Sequence, residues 1–196
     1  MAKKSTYNAK DIEVLEGLEP VRKRPGMYIG STNQDGLHHL VNEVLDNSID
    51  EVLAGHATDI SFEYKKDGTI KIKDNGRGIP IDFHPKYKNK RALEVVLTTL
   101  HAGGKFNSNA YKTSGGLHGV GISVVNALSS LLQVQVFKDG KLYRQDYSKG
   151  KVKTKIKIEK CSKKLKGTEI SFLPDESIFE ETQFVPKKLY NFINMK

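Results

Sequence analysis

The sequence predicts an α+β fold in which a mixed sheet is covered by helices on one face, and three observations indicate it. Hydrophobic residues recur at helical spacing through 36–54, and Gly55 is placed to end that helix. Residues 60–64 and 70–73 alternate with period two around Asp67-Gly68, which is typical of a β-hairpin. Shorter patterns add helices and strands. The predicted helices are 92–101, 120–129 and 186–196, and the predicted strands are 132–137, 141–147, 152–158 and 168–172.

The length of 196 residues favours a single domain over 1–196. Within it we expect an N-terminal arm at about 1–17 and a Gly/Ser/Asn-rich functional loop at about 102–121. The last helical pattern stops without a capping residue, so we expect a truncated chain. No apolar run approaches the roughly 18 residues of a membrane helix. The lone Cys161 and the absence of a signal-like start favour a reducing, cytoplasmic setting.

The net charge of +9 is concentrated in one segment. Residues 149–166 hold nine lysines and one acid, Glu159, so this segment alone carries +8. Within 151–158 lysines alternate with Val152, Thr154, Ile156 and Ile158, which predicts a strand with one charged face. Two interpretations stay open: a solvated edge strand kept from pairing by its charge, or a patch that contacts the DNA backbone.

A polar stripe on the first long helix is the first candidate site. His39, Glu43, Asn47 and Asp50 follow one another at spacings of four, four and three, which places them on one face. Such a stripe is often only a solvated surface. The residue types nevertheless supply a carboxylate that can deprotonate water, an imidazole that can orient it, and an amide oxygen suited to magnesium.

A glycine-containing turn after the second strand is the next candidate. Asp74-Asn75-Gly76-Arg77-Gly78-Ile79-Pro80 permits a tight turn and close approach by a ligand. By itself such a turn is usually structural. Asp74 could also accept a hydrogen bond from an exocyclic amine such as that of adenine.

The third candidate is the loop that runs into the 120–129 helix. Gly103-Gly104-Lys105 and the glycines of 114–121 precede a helix start whose amides would face an anion. The spacing Gly116-x-x-Gly119-x-Gly121 matches neither the P-loop nor the dinucleotide fingerprint. We therefore interpret it as a phosphate-covering lid.

In this order the three elements resemble the GHKL (Bergerat) ATPases, which include gyrase, ATP-dependent chaperones, histidine kinases and MutL. Segments 18–30, 100–106 and 114–128 are similar to the N-terminal ATPase domain of bacterial type IIA topoisomerase B subunits, and the similarity extends over nearly the whole chain from Tyr7. Residues 7–15 and Ile122 are more similar to the topoisomerase IV type, with the gyrase type as the alternative. The fold implied is a two-layer α/β sandwich.

The resemblance implies a role for each matching position. Glu43 would be the general base, His39 its support, Asn47 the magnesium ligand and Asp74 the acceptor of the adenine amino group. Tyr7 would reach the partner subunit's nucleotide. The implied ATP contacts are Tyr7, Asn47, Asp50, Asp74, Arg77, Gly78, Ile79, Pro80, Gly103, Gly104, Lys105, Gly116, Leu117, His118, Gly119, Val120, Gly121, Ile122 and Thr168.

The implied activity is that of an ATP-dependent type IIA DNA topoisomerase, an isomerase with ATP and Mg²⁺ as cofactors. Its partners would be DNA, a second copy joined on ATP binding, and a ParC- or GyrA-type protein in an A2B2 heterotetramer, in the bacterial cytoplasm at the nucleoid and without membrane attachment. A γ-phosphate-contacting lysine would come from the following domain, so we expect this chain to bind ATP but hydrolyse it poorly.

The pocket rim departs from the family pattern at one position. The family usually has arginine where this chain has Lys138, which keeps the charge but loses the planar fork and so affects contacts with larger ligands. The alternative function of another class is a non-enzymatic basic DNA-binding module in which the glycine loop is only structural.

Overall fold

The structure, a computed structural model, describes residues 8, 11–102 and 121–195. The helices of the described residues are α1 Glu19–Lys23, α2 Gly26–Ile29, α3 Gln34–Leu53, α4 Ala92–Thr98, α5 Gly121–Ala127 and α6 Pro186–Asn194. The strands are β1 Ile60–Tyr64, β2 Ile70–Asp74, β3 Ser129–Lys138, β4 Lys141–Ser148, β5 Lys151–Val152, β6 Lys157–Lys160 and β7 Gly167–Pro174. The predicted α+β class is confirmed.

The strands form one sheet in the order β1-β2-β7-β3-β4-β5, with β6 also paired to β4. Every pairing among the described residues is antiparallel, so the prediction of a mixed sheet is wrong. The reason lies in the connection through α4 and α5, which brings β3 back in the same direction as β2 but one strand further along. β7 fills the gap between them and runs antiparallel to both.

The core lies between the helices and one face of this sheet. Helix α3 contributes Leu37, Leu40, Val41 and Val44, which pack with inward residues of β2, β3 and β7 in a single cluster. Burying each such side chain contributes about 1.5–3 kcal/mol. The opposite face carries half-buried polar residues, including Lys71, Gln133, Gln135, Glu169 and Ser171. Helices therefore cover one face, as predicted.

Helix α3 begins slightly earlier than the hydrophobic pattern indicates. The side chain of Asn33 caps it by accepting a hydrogen bond from the Asp35 N–H, so the first turn forms ahead of the apolar stripe. At the other end Gly55 adopts φ 74°, the left-handed conformation that glycine permits. The predicted C-terminal stop at this glycine is confirmed.

The predicted strand 152–158 is interrupted in the structure. The N–H groups of Lys153 and Thr154 both bond to the Asp146 carbonyl, and the Thr154 hydroxyl accepts from the Asp146 N–H. These bonds break the regular ladder, so only β5 and β6 remain. Ile156 still packs against the core, whereas Val152 and Ile158 are exposed, contrary to the expected alternation.

The C-terminal end of α5 is fixed by Arg22 of α1. Its guanidinium donates to the Ala127 carbonyl at 2.7 Å and to the Asp175 carboxylate at 2.7 Å. Burial alone would raise the pKa of Asp175, but the bonds from Arg22 and Ser177 lower it to about 2. These bonds join α1, α5 and the segment after β7.

Within 11–102 and 121–195, no helix is both long and apolar enough to cross a bilayer.

Candidate functional site

The polar stripe predicted on α3 is present, and two of its members are bonded to each other. His39 Nε2 lies 3.0 Å from Glu43 Oε1, and the Asn47 amide donates to the Glu43 carbonyl at 2.7 Å. The hydrogen bond to Glu43 raises the pKa of His39, against the effect of partial burial. His39 and Glu43 are both half-buried, so the carboxylate is oriented yet still accessible.

The first residue of α5 lies directly against Glu43. A Cβ atom on Gly121 would overlap the Glu43 carboxylate, so no larger residue fits there without moving that side chain. Ile122 follows and packs on the core with partial exposure. Helix α5, which follows the predicted lid in sequence, therefore begins beside Glu43, the predicted general base.

Asp74 lies at the end of β2 and is 6% exposed. Its carboxylate accepts from the Gly76 N–H at 2.9 Å, the Thr168 N–H at 3.4 Å and the Ser48 hydroxyl at 3.1 Å. Burial raises the pKa of Asp74, and these three hydrogen bonds oppose that rise. The side chain is thus held in one orientation by three separate segments.

Ser48 was missed by sequence reasoning. It lies on α3 four residues after Val44, on the helix face that is otherwise apolar, and it is buried. A hydroxyl at an apolar position of a helix was the signal that could have identified it. Its hydrogen bond joins α3 to Asp74.

The turn after Asp74 is held by Glu51, a second residue that the sequence did not single out. The Arg77 guanidinium makes two bonds to the Glu51 carboxylate, at 3.2 and 2.7 Å, and the Arg77 N–H a third at 2.9 Å. A Cβ on Gly76 would come within 2.7 Å of a Glu51 oxygen. A larger residue at 76 would therefore have to displace the Glu51 side chain that holds the turn.

Two backbone segments meet at the same place. The Ile79 N–H donates to the Thr168 hydroxyl at 3.1 Å, and Gly78 adopts φ 75° against Val136. Gly167, with φ 110°, packs so closely on the Asp74 carbonyl that a Cβ there would overlap it. The start of β7 and the 74–80 turn therefore form one interlocked unit.

Three further residues singled out by the sequence differ in their exposure. Asp50 is buried on α3, Pro80 is exposed, and Lys138 is half-buried at the end of β3 opposite Lys141. Nine of the predicted contacts lie outside the described residues. They are Tyr7, Gly103, Gly104, Lys105, Gly116, Leu117, His118, Gly119 and Val120.

A magnesium ion is compatible with the residue types on α3. No group of three or more His, Cys, Asp or Glu residues that could hold a metal exists within the described ranges. Magnesium commonly takes only one or two protein oxygens and completes its shell with water and substrate phosphates. The Asn47 amide one turn from Glu43 fits that pattern, because it adds an oxygen without building a protein cage.

Comparisons with known proteins identify the family of the chain. Residues 32–178 match the family described as histidine kinase-, DNA gyrase B-, and HSP90-like ATPase. The chain is 61% identical to the B subunit of DNA topoisomerase 4 from Rickettsia bellii, over 98% of this chain and 29% of that protein. It is 58% identical to the B subunit of DNA gyrase from Thermotoga maritima, over 92% of this chain and 28% of that one. The chain therefore spans less than a third of the length of these relatives.

A solved structure is similar as well. The 43K ATPase domain of Thermus thermophilus gyrase B, in complex with an aminocoumarin, matches with a TM-score of 0.78 and 43% identity, over 89% of this chain and 43% of that one. These findings confirm the resemblance that the three motifs predicted. The family match covers most of the chain and includes α3, the 74–80 turn and β7. The chain belongs to the family of histidine kinase-, DNA gyrase B- and HSP90-like ATPases.

Proposed function

We propose that this chain is the ATP-binding and ATP-hydrolysing part of a type IIA DNA topoisomerase, in the B subunit of the topoisomerase IV type. The observation that carries the proposal is that α3 serves both ends of one site. Glu43 faces the start of α5, and Ser48, about 7.5 Å further along the helix at 1.5 Å per residue, bonds to Asp74. A ligand with a base at one end and phosphates at the other suits that arrangement.

The end of the site near Asp74 is called the base end, because the adenine base would lie there. Asp74 would accept a hydrogen bond from the adenine amino group. Its three hydrogen bonds leave the carboxylate fixed before any ligand arrives, so binding requires little further ordering. Gly78, Ile79 and Pro80 would line the base, and Thr168 holds Ile79 in position. Arg77 would act here chiefly through its bonds to Glu51, which fix the turn.

At the phosphate end, Glu43 would deprotonate the water that attacks the γ-phosphate. His39 holds the carboxylate by the 3.0 Å contact, and the same hydrogen bond raises the pKa of His39. A positioned base supplies roughly 100- to 10,000-fold of rate. Helix α5 begins beside Glu43, and helix N-termini favour anions.

Magnesium, when bound, would neutralise charge on the transferring phosphoryl group. Asn47 would supply the protein oxygen for it, and its bond to the Glu43 carbonyl sets the side-chain direction. Asp50 would contribute to the nucleotide pocket from the buried side of α3. Gly103, Gly104, Lys105 and residues 116–122 would close over the phosphates, and Tyr7 of a second copy would complete the site.

The wider assignment rests on the relatives' names. Those of the topoisomerase 4 type reach 61% identity and those of the gyrase type 58%, which favours the former by a small margin. The same proposal includes ATP-driven dimerisation and passage of a DNA duplex through a break. It also includes an A2B2 complex with a ParC- or GyrA-type protein, in the bacterial cytoplasm at the nucleoid. Hydrolysis by this chain alone is expected to be slow.

A thermal-shift experiment tests the nucleotide site directly. A non-hydrolysable ATP analogue with magnesium should raise the melting temperature, because a ligand that binds only the folded state stabilises it. Asp74→Asn should abolish that shift, while Asp82→Asn, a change at an exposed carboxylate eight residues later, should retain it. Loss of the shift in both variants would contradict the assignment of Asp74.

The competing function is a DNA-binding module without nucleotide. It predicts duplex binding with no response to the ATP analogue in any variant. Retention of nucleotide binding together with loss of hydrolysis in Glu43→Ala would exclude it, whereas loss of nucleotide binding in that variant would make Glu43 structural.

A further inference from the structure

The lysines of 149–166 line one exposed border of the sheet, which we call the basic edge. β5 and β6 both pair with β4 and end the sheet on that side. Every lysine of the basic edge is exposed. They are Lys149, Lys151, Lys153, Lys155, Lys157, Lys160, Lys163, Lys164 and Lys166.

Most lysines of the basic edge form no ion pair within the described residues. Lys149 alone has a carboxylate partner there, Asp175 at 3.3 Å, and Lys166 donates to the His56 carbonyl. Lysines elsewhere in the chain are paired more often. Examples are Lys71 with Glu63, Lys90 with Glu94 and Lys188 with Asp35. The concentration of positive charge is therefore specific to this border.

The backbone of the basic edge is fixed although its lysines are exposed. The Thr154 hydroxyl accepts from the Asp146 N–H, the Gln145 amide donates to the Thr154 carbonyl, and Ile156 packs against the core. Lys153, Lys155 and Lys157 flank these two anchors and are therefore held on the solvent side. Charged side chains on an edge strand discourage pairing, but six of these nine lysines lie outside β5 and β6, where there is no strand to protect.

The composition of the basic edge indicates which anion it suits. Residues 149–166 contain no aromatic side chain, so nothing there could stack on unpaired bases. Flexible lysines bind phosphates as point charges without reading sequence. Duplex DNA, whose bases are already stacked and whose surface is a dense array of phosphates, is the polyanion that these features fit.

We propose that the basic edge is a contact surface for the phosphate backbone of duplex DNA, centred on Lys153, Lys155 and Lys157. The proposal rests on the function proposed above, since a topoisomerase must handle a duplex. None of the residues of the basic edge belongs to the proposed nucleotide site. Binding there is independent of base sequence and decreases steeply with salt.

A charge-matched pair of triple variants tests it in the 196-residue chain. One variant carries Lys153→Gln, Lys155→Gln and Lys157→Gln, and the control carries Lys65→Gln, Lys66→Gln and Lys88→Gln, all of them exposed. Both lose the same net charge. Affinity for a fluorescent duplex of random sequence is measured by anisotropy across a salt series from roughly 50 to 200 mM.

The basic-edge variant should bind at least about tenfold more weakly at the low-salt end, and its slope of log K against log salt should decrease by roughly 2.7, at about 0.9 per lost phosphate contact. The control should change by less than about twofold on the same scale. Equal losses in the two variants would show a net-charge effect and overturn the proposal. Tighter binding of a single strand, or equal binding of polyglutamate, would also overturn it.

The ATP-analogue thermal shift is measured on the same samples. If the nucleotide shift persists while duplex binding is equal in both variants, only the DNA surface is refuted. If the wild-type chain binds the duplex through the basic edge yet shows no nucleotide shift, the proposed ATP site fails and the surface stands.

Discussion

The two ends of the candidate site differ in how completely they are built. At the base end, Asp74 accepts three hydrogen bonds, Glu51 and Arg77 fix the turn, and Gly167 packs on the Asp74 carbonyl. At the phosphate end, Glu43 and His39 are half-buried on α3, and the Glu43 carboxylate lies against the first residue of α5.

Because the two ends differ in this way, nucleotide binding and hydrolysis should depend on different residues of the chain. At the base end, Asp74 is buried and bonded to three segments, so its orientation is set within the chain itself. At the phosphate end, the described side chains Glu43 and His39 are only half-buried, and each is bonded within α3 alone. We therefore expect changes at the base end to affect stability and affinity together, and changes at the phosphate end to affect turnover alone.

The largest expected effect is on hydrolysis in Glu43→Gln. Removing the general base should lower the rate of single-turnover hydrolysis by roughly 100- to 10,000-fold, while affinity for the ATP analogue is retained. Rapid-quench measurement with labelled ATP provides the rate. Glu63→Gln, at an exposed carboxylate on β1, is the control and should leave the rate unchanged. Hydrolysis at the wild-type rate in Glu43→Gln would remove Glu43 from the mechanism.

Gly167→Ala should produce the largest loss of stability. The added Cβ overlaps the Asp74 carbonyl and the residue has φ 110°, so both a clash and backbone strain arise, together costing about 3 kcal/mol or more. Urea unfolding provides the measurement. Gly68→Ala, with φ 87° but its nearest contact at 3.4 Å, isolates the strain and should cost only about 1 kcal/mol. Equal losses would show that the interlock is unimportant.

Acidification should weaken nucleotide binding through Asp74. Burial raises the pKa of its carboxyl, and the ionised form is the stronger acceptor for an adenine amine, so affinity should fall as the pH drops through that pKa. The effect of pH on the free energy of unfolding has the opposite direction. Because the folded-state pKa is raised, protonation favours the folded state, and this group's contribution to the free energy of unfolding increases as pH falls. Calorimetric titration and urea unfolding between about pH 4 and 7 separate the two.

Gly121→Ala tests whether a change at the phosphate end affects turnover without lowering stability. Its Cβ would overlap the Glu43 carboxylate and displace it, so turnover should fall about tenfold. Stability should be unchanged or higher, since alanine favours helix over glycine by about 1 kcal/mol. Gly26→Ala in α2, where nothing lies within 4 Å, is the control. A large loss of stability in Gly121→Ala would contradict the separation of the two ends.

Thr168→Val should have the smallest effect. The change leaves the Ile79 N–H without its acceptor and costs about 1–2 kcal/mol of unfolding free energy. Affinity should decrease modestly, and single-turnover hydrolysis at saturation should not change. A turnover defect larger than the affinity defect would mean that the two ends are coupled through β7.

Much of the site could be predicted from local patterns. The α3 stripe follows from helical spacing, and the 74–80 turn follows from glycines after an alternating strand. Ser48 and Glu51 could not be predicted in the same way, because their roles depend on contacts with Asp74 and Arg77, each 26 residues away in sequence. The interruption of the 152–158 strand likewise arises from bonds to Asp146 on β4.

The sequence by itself determined the α+β class, the amphipathic helix that carries Glu43, the Asp74 turn and the family, since each depends on residue type at short spacing. The tertiary structure alone decided the insertion of β7 between β2 and β3, the all-antiparallel pairing of the described strands, and the hydrogen bonds that fix Asp74. The physical reason is that hydrophobic periodicity and turn chemistry act over a few residues. Strand order and buried polar pairing depend on which distant segments pack together.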